Sequence, residues 1–274
     1  KLNRTLIAQW ACIAALLASR NQCAVKLRLP RFTDMHVTGK RHPFENEFDV
    51  AFDETGKIEA TRMTINGICG HSPDLSDAIV DRAMFHADNG YFLGDSDIVG
   101  HRLQTNMVSH TAYRGFGGPQ GMIMAEAVID KIARAIGSDP LSVRKRNLYG
   151  PTTGSFTPYG MKVEHNLLPD MIAELEETAQ YWQRREAIAA FNRESPVIKK
   201  GLALTPVKFG ISFTAKHLNQ AGALVHIYTD GSIQVNHGGT EMGQGLHTKI
   251  GQIAANEFGL DLDMIEVTAT RTDK

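Results

Sequence analysis

The strongest local constraint is the run Tyr113-Arg114-Gly115-Phe116-Gly117-Gly118-Pro119-Gln120-Gly121. Three glycines within four residues permit backbone conformations closed to other residue types, and they let the chain pass close to another surface. Pro119 suits the first turn of a helix. Behind it Met122, Ala125, Ile129, Ile132, Ala133 and Ile136 recur at helical spacing, and Gly137 reads as the stop. The run is therefore a sharp turn into a helix whose first N–H groups suit a phosphate or an oxyanion. Phe116, flanked by glycines, has two readings. It is either a ring presented to a planar ligand or a core residue of an ordinary tight turn.

A second glycine-rich stretch, His237-Gly238-Gly239-Thr240-Glu241-Met242-Gly243-Gln244-Gly245, again joins a strand to a helix. The amide of Gln244 is able to hydrogen-bond a polar ligand atom. The stretch matches neither nucleotide fingerprint. No Lys-Ser/Thr follows its glycines, and no acidic residue ends a next strand at the needed distance. A plain glycine-rich connection is the competing reading.

Around these two stretches the pattern mixes helix and strand without regular alternation. Residues 5–20 read as a buried amphipathic helix. The segment 6–18, LIAQWACIAALLA, is too short to span a membrane, and its Gln9 and Trp10 argue against a signal peptide. Val25–Leu29 alternates like a strand ended by Pro30. Glu47–Phe52 and Lys57–Asn66 predict a hairpin across Glu54-Thr55-Gly56. Residues 74–86 read as a helix capped by Ser72 or Asp74, 98–105 as a strand, and 140–147 as a short helix behind Ser138-Asp139. A loop over 149–165 precedes one long helical pattern from Pro169 to Asn192. Strands follow at 201–213, 222–228 and 232–237, then a helix at 244–258 and a strand at 263–268. The class is α+β with two subdomains, 1–195 and 196–274, divided near the polar Pro196 segment.

Charge narrows the partners. Twenty-nine Lys and Arg against 30 Asp and Glu give no basic field to attract nucleic acid or an anionic membrane. The three cysteines Cys12, Cys23 and Cys69 lack CxxC spacing, so a reducing, cytoplasmic compartment is expected. The 11 histidines show no HExxH or other ligand spacing, and no GxSxG nucleophile motif is present. Arg82, in Asp81-Arg82-Ala83-Met84-Phe85-His86, reads on its own as a solvated surface charge.

Three long stretches resemble one family, the xanthine dehydrogenases: 111–121 (TAYRGFGGPQG), 205–223 (TPVKFGISFTAKHLNQAGA) and 237–249 (HGGTEMGQGLHTK). Weaker likenesses lie at 37–44 and 82–86, in the family's order. The resemblance implies a molybdopterin-binding segment from the middle of a longer subunit, carrying molybdenum held by the pterin and not by side chains. It places Arg114 beside the oxo ligands and Phe116 against the purine ring, with Gly115 in the same loop. Phe213 and Thr214 fall beside the substrate, and Gly243, Gln244 and Gly245 fall in the loop that grips the pterin. Arg82 matches the residue that faces a substrate carbonyl, an assignment that favours a purine over an aldehyde. The implied reaction is hydroxylation of hypoxanthine to xanthine to urate with oxygen from water, electrons passing to 2Fe-2S and FAD centres in other domains or subunits of a homodimer. An aldehyde oxidase or other molybdenum hydroxylase, and an inert cofactor-binding fragment, are the alternatives. The resemblance also implies a general-base Glu and an FGG loop outside these residues. A gapless alignment puts Arg4 where the family has a substrate-binding Glu, and Lys1–Arg4 does not resemble the expected run.

Overall fold

The computed structural model describes residues 4–151, 153–214 and 216–269, with the backbone alone at 4–7 and 216. Residues 1–3, most of the ragged Lys1–Arg4 run, and the side chain of Arg4 lie outside that description. The chain divides into two compact units, Leu2–Ile211 and Ser212–Lys274.

The first unit opens with α1 (Arg4–Asn21). The expected helix is present, but its expected burial is not. Ile13, Leu16 and Leu17 are 42, 55 and 41 % exposed. Apolar spacing specifies a helix; burial also needs a surface to pack on, which spacing cannot supply. Val25–Leu29 forms no strand, and Pro30 leads into the short helix α2 (Arg31–Val37).

The hairpin forms between β1 (Phe44–Phe52) and β2 (Ile58–Gly70). Asp53 closes its turn, its Oδ1 accepting from the backbone N–H groups of Thr55 (2.8 Å) and Lys57 (2.9 Å). A crossover through α3 (Ser76–Phe85) then lays β3 (Asp95–Gln104) parallel to β2, giving the order β1-β2-β3. Neither expected residue caps α3: the N-cap is Leu75, and Ser72 Oγ bonds Ser109 Oγ. Next comes α4 (Gly118–Ala135), which buries Met124, Ala125, Val128, Ile129, Ile132 and Ala133 against Ile58, Met63, Ile65 and Ala83. This i, i+4 stripe is the core of the unit. Helix α5 (Pro140–Asn147) starts as expected on Asp139, whose carboxylate accepts from Leu141 N at 2.8 Å.

The long helical pattern breaks into α6 (Leu168–Thr178) and α7 (Tyr181–Glu194), with Gln180 left-handed at φ 50° between them. The expected strand at 201–213 does not form. Instead Asn89 supplies the partners that a neighbouring strand would have given. Its Nδ2 donates to Pro206 O at 3.0 Å, and its Oδ1 accepts from Lys208 N at 3.1 Å. Lys208 Nζ also bonds the buried Asp88 carboxylate. These contacts keep 202–211 with the first unit, so the units part at 211/212, beyond the polar Pro196 segment.

The second unit carries β4 (Ala223–Ile227), β5 (Ile233–His237), α8 (Leu246–Phe258) and β6 (Ile265–Thr268). Its sheet has β5 in the centre, antiparallel to β4 across the Thr229-Asp230-Gly231 turn and parallel to β6 through α8. No helix of the described residues is long and apolar enough to cross a membrane.

Candidate functional site

Residues 115–117 are three successive left-handed residues: Gly115 at φ 95°, Phe116 at 52° and Gly117 at 98°. The turn is closed by Phe116 N–H donating to Tyr113 O (2.7 Å) and Gly118 N–H donating to Gly115 O (2.9 Å). Tight packing explains two of the glycines. A Cβ at Gly117 would stand 2.0 Å from Ile79 O, and one at Gly121 would stand 2.1 Å from Ala83 O, both on the backbone of α3. The loop is thus pressed against the helix that bears Arg82. Phe116 is half-buried and outside the core cluster, a bulky side chain in a conformation it disfavours. Arg114 is exposed.

Arg41 clamps this loop. Its Nη2 donates to Arg114 O at 2.5 Å, and its guanidinium lies 4.3 Å from the Tyr113 ring centroid. Its Nη1 is buried, finds no hydrogen-bond acceptor among the described residues, and would lie 3.7 Å from a Cβ on Gly115. Burial lowers its pKa, opposed in part by Tyr113. A buried donor without an acceptor is costly unless something outside the chain satisfies it.

Arg82 is no surface charge. It is 6 % exposed, with Nη1 donating to Gly210 O and its guanidinium 5.5 Å from the Phe209 ring. Burial lowers its pKa. Phe209 links this arginine to the glycine loop, because a Cβ on Gly118 would meet its ring at 2.6 Å. Arg82 and residues 114–118 therefore form one neighbourhood. Phe213, Thr214, Gly243, Gln244 and Gly245 belong to the other unit.

In that unit Asn219 holds the half-buried Phe213 through both backbone groups, accepting from Phe213 N at 2.6 Å and donating to its carbonyl at 2.8 Å. Thr214 follows, also half-buried. The Gln244 amide is turned onto its own loop: Nε2 donates to Thr240 O (2.9 Å) and Oε1 accepts from Met242 N (2.6 Å). Glu241 takes the N-terminus of α8, accepting from the N–H groups of Gly243 (2.5 Å), Gly245 (3.3 Å) and His247 (3.3 Å). Loss of water raises its pKa, and these backbone donors outweigh that and bring it to about 2. The free N–H groups at this helix start are thus met by the protein's own carboxylate. Among the described residues no group of three or more His, Cys, Asp or Glu gathers around a metal position.

Beside Arg41, His42 donates or accepts through Nε2 to Ser76 Oγ at 2.7 Å, and its ring lies 5.8 Å from that of His110. Burial, then the His110 charge, brings the His42 pKa down to about 4, against smaller opposing effects of Asp74 and Thr111. An unfolded histidine titrates near 6.5, so acid charges the unfolded chain first. The stability contributed by neutral His42 is complete above about pH 6.5 and drains away towards pH 4, by about 3 kcal/mol. Urea midpoints at pH 7 and pH 4.5 should fall less in His42→Gln than in the parent; equal falls would exclude this source.

Sequence reading missed Arg41, His86 and Phe209. Arg41 lies inside the 37–44 likeness, and His86 is one helical turn beyond Arg82, a spacing that places both on one face.

Two family models match, both described as a molybdopterin cofactor-binding domain, over residues 3–148 and 174–274. The chain is 43 % identical over 264 residues to a xanthine dehydrogenase of Dictyostelium discoideum, covering 96 % of this chain and 19 % of that protein. It is 44 % identical over 268 residues to xanthine dehydrogenase 1 of Arabidopsis thaliana, covering 98 % of this chain and 19 % of that protein. The chain thus spans about a fifth of the length of these relatives. Among solved structures, aldehyde oxidoreductase from Desulfovibrio gigas matches with a TM-score of 0.65 and 25 % identity over 90 % of this chain and 27 % of its own. Quinoline 2-oxidoreductase from Pseudomonas putida 86 shares the fold, with a TM-score of 0.71 at 22 % identity over 96 % and 35 % of the two chains.

Proposed function

This chain belongs to the molybdopterin cofactor-binding domain family, and we propose that it forms part of the molybdenum site of a xanthine dehydrogenase that hydroxylates purines. The observation that carries the reading is the joining of buried Arg82 to the Arg114–Gly118 loop through Phe209. The names of the relatives at 43 and 44 % identity agree with it.

The residues present fit molybdopterin at the first loop. Arg41 Nη1 is a buried donor without an acceptor among the described residues, and it lies beside the left-handed turn at Gly115. In this reading Arg114, Gly115 and Phe116 would hold the group from the first unit; the resemblance assigns Gly243, Gln244 and Gly245 of the second unit to the pterin, and Gln244 would have to release its bonds to Thr240 O and Met242 N to reach it. When bound, the molybdenum centre supplies a two-electron oxidation in which water provides the oxygen. Arg82 offsets negative charge that builds on the purine, a contribution of about 2–3 kcal/mol in a site shielded from water. Within the first unit Phe116 would orient a planar substrate by stacking; for the second unit the resemblance assigns an edge contact to Phe213 and a hydroxyl contact to Thr214. The 2Fe-2S and FAD centres that receive the electrons lie elsewhere in a homodimeric, cytoplasmic enzyme.

A hydroxylase acting on aldehydes is the second reading, favoured by the fold match to the Desulfovibrio enzyme. Assays of the full-length enzyme with hypoxanthine, xanthine and an aromatic aldehyde separate the two. Arg82→Ala should lower kcat/KM for the purines about 100-fold, and for the aldehyde by less than about tenfold. Equal losses on both substrate types would sink the assignment of Arg82.

A further inference from the structure

Three hydrogen bonds close a ring around Arg82. His86 Nδ1 contacts Arg82 O at 2.8 Å, Gly210 N contacts His86 Nε2 at 3.0 Å, and Arg82 Nη1 contacts Gly210 O. The partners fix the protons. A carbonyl oxygen only accepts, so Nδ1 carries the hydrogen; a backbone N–H only donates, so Nε2 is the acceptor. His86 is therefore the neutral Nδ1–H tautomer. It is 3 % exposed, and its ring lies 4.8 Å from that of Phe209, the side chain that also meets Arg82 and Gly118. Burial favours the neutral form, and the charges of Arg82 and Lys208 favour it further, against the opposing effect of the bond to Arg82 O.

A histidine that only ended α3 would need one of these bonds, the one to the carbonyl of the preceding turn. The second bond reaches 124 residues along the chain to the same glycine whose carbonyl takes the Arg82 guanidinium. We propose that His86 is a positioning residue for Arg82: it fixes the Gly210 peptide, and that peptide fixes the guanidinium. A guanidinium on a flexible stem otherwise samples many rotamers, and a charge that is to meet a substrate atom gains from being held in one.

The test uses the full-length enzyme. His86→Phe keeps the ring packing and removes both bonds. His86→Gln places an amide oxygen where Nε2 stood, and His86→Asn retains only a donor near Arg82 O. Hydrogen–deuterium exchange should rise at least tenfold at the amides around Gly210 in the Phe and Asn variants, with β1–β3 unchanged, and return towards the parent in Gln. In kinetics, His86→Phe should lower purine kcat/KM about tenfold alone and cause no further loss in an Arg82→Ala background. Unchanged exchange at Gly210, no recovery with Gln, or fully additive kinetic losses would each overturn the proposal. Should His86→Phe not fold, His86→Asn carries the same comparison. The kinetic arm rests on the role given to Arg82 above; the exchange arm does not, so failure of the purine reading leaves it intact.

Discussion

Gly117→Ala should destabilise the protein by about 4 kcal/mol or more, a loss built from two separate costs. The left-handed backbone at φ 98° costs an L-residue about 1–2 kcal/mol. The new Cβ would also stand 2.0 Å from Ile79 O and 3.2 Å from Ala83 N. Both atoms are backbone of α3, so neither can swing aside as a side chain would. Overpacking of this kind costs about 1–3 kcal/mol when the surroundings yield, and more when they do not. Gly137 provides the comparison, since it has φ 66° and nothing within 4 Å of a built Cβ. Gly137→Ala should cost only about 1 kcal/mol. Denaturant midpoints of the two variants measure the difference, and values within about 1 kcal/mol of each other would refute the packing account. The same push would move α3 away from the loop, so molybdenum content of the full-length enzyme should fall in Gly117→Ala and hold in Gly137→Ala.

That contrast also shows where sequence reading stops. The glycines of 115–118 are visible as a sharp turn, and their freedom at positive φ follows from residue type alone. Their second reason, the close passage over α3, depends on Ile79 and Ala83, more than 30 residues earlier, and leaves no local mark. Local chemistry was legible where it acted locally: the Glu54-Thr55-Gly56 turn, the Asp139 helix start, the spacing of α4 and the 229–231 turn. Non-local events were not. The parallel pairing of β2 with β3 needs a crossover, the break at Gln180 interrupts an otherwise helical stretch, and the strand-like alternation of 201–213 is answered by side chains of 82–89 and not by a strand. Arg82 is the sharpest case. Its neighbours in sequence suggest a solvated charge, whereas it is buried and meets Phe209 and Gly210, at the far end of the first unit. The resemblance marked it as functional without indicating what holds it.

Glu126→Ala should cost about 3–5 kcal/mol, because it strands a buried charge together with two neutral donors. Arg144 is 3 % exposed and presents Nε and Nη2 to Glu126 Oε2, both at 2.8 Å. The other carboxylate oxygen accepts from Tyr91 Oη at 2.6 Å and Asn89 Nδ2 at 2.9 Å. Burial, followed by the Glu126 charge, pushes the Tyr91 hydroxyl far above its ordinary range, so it remains a neutral donor. Removing the carboxylate leaves the guanidinium without its closest counter-charge, and Asp130 at 3.8 Å is a poor replacement. The loss should extend to the segment that Asn89 secures, Pro206–Lys208, which leads to Gly210. Removing both charges is a different matter. Glu126→Leu with Arg144→Met replaces the pair by apolar groups of similar length, and buried pairs replaced in this way often lose little stability. Urea unfolding of the parent, both single variants and the double variant measures the coupling. A double variant no more stable than Glu126→Ala would show that the carboxylate acts through Tyr91 and Asn89 alone, and not through the arginine.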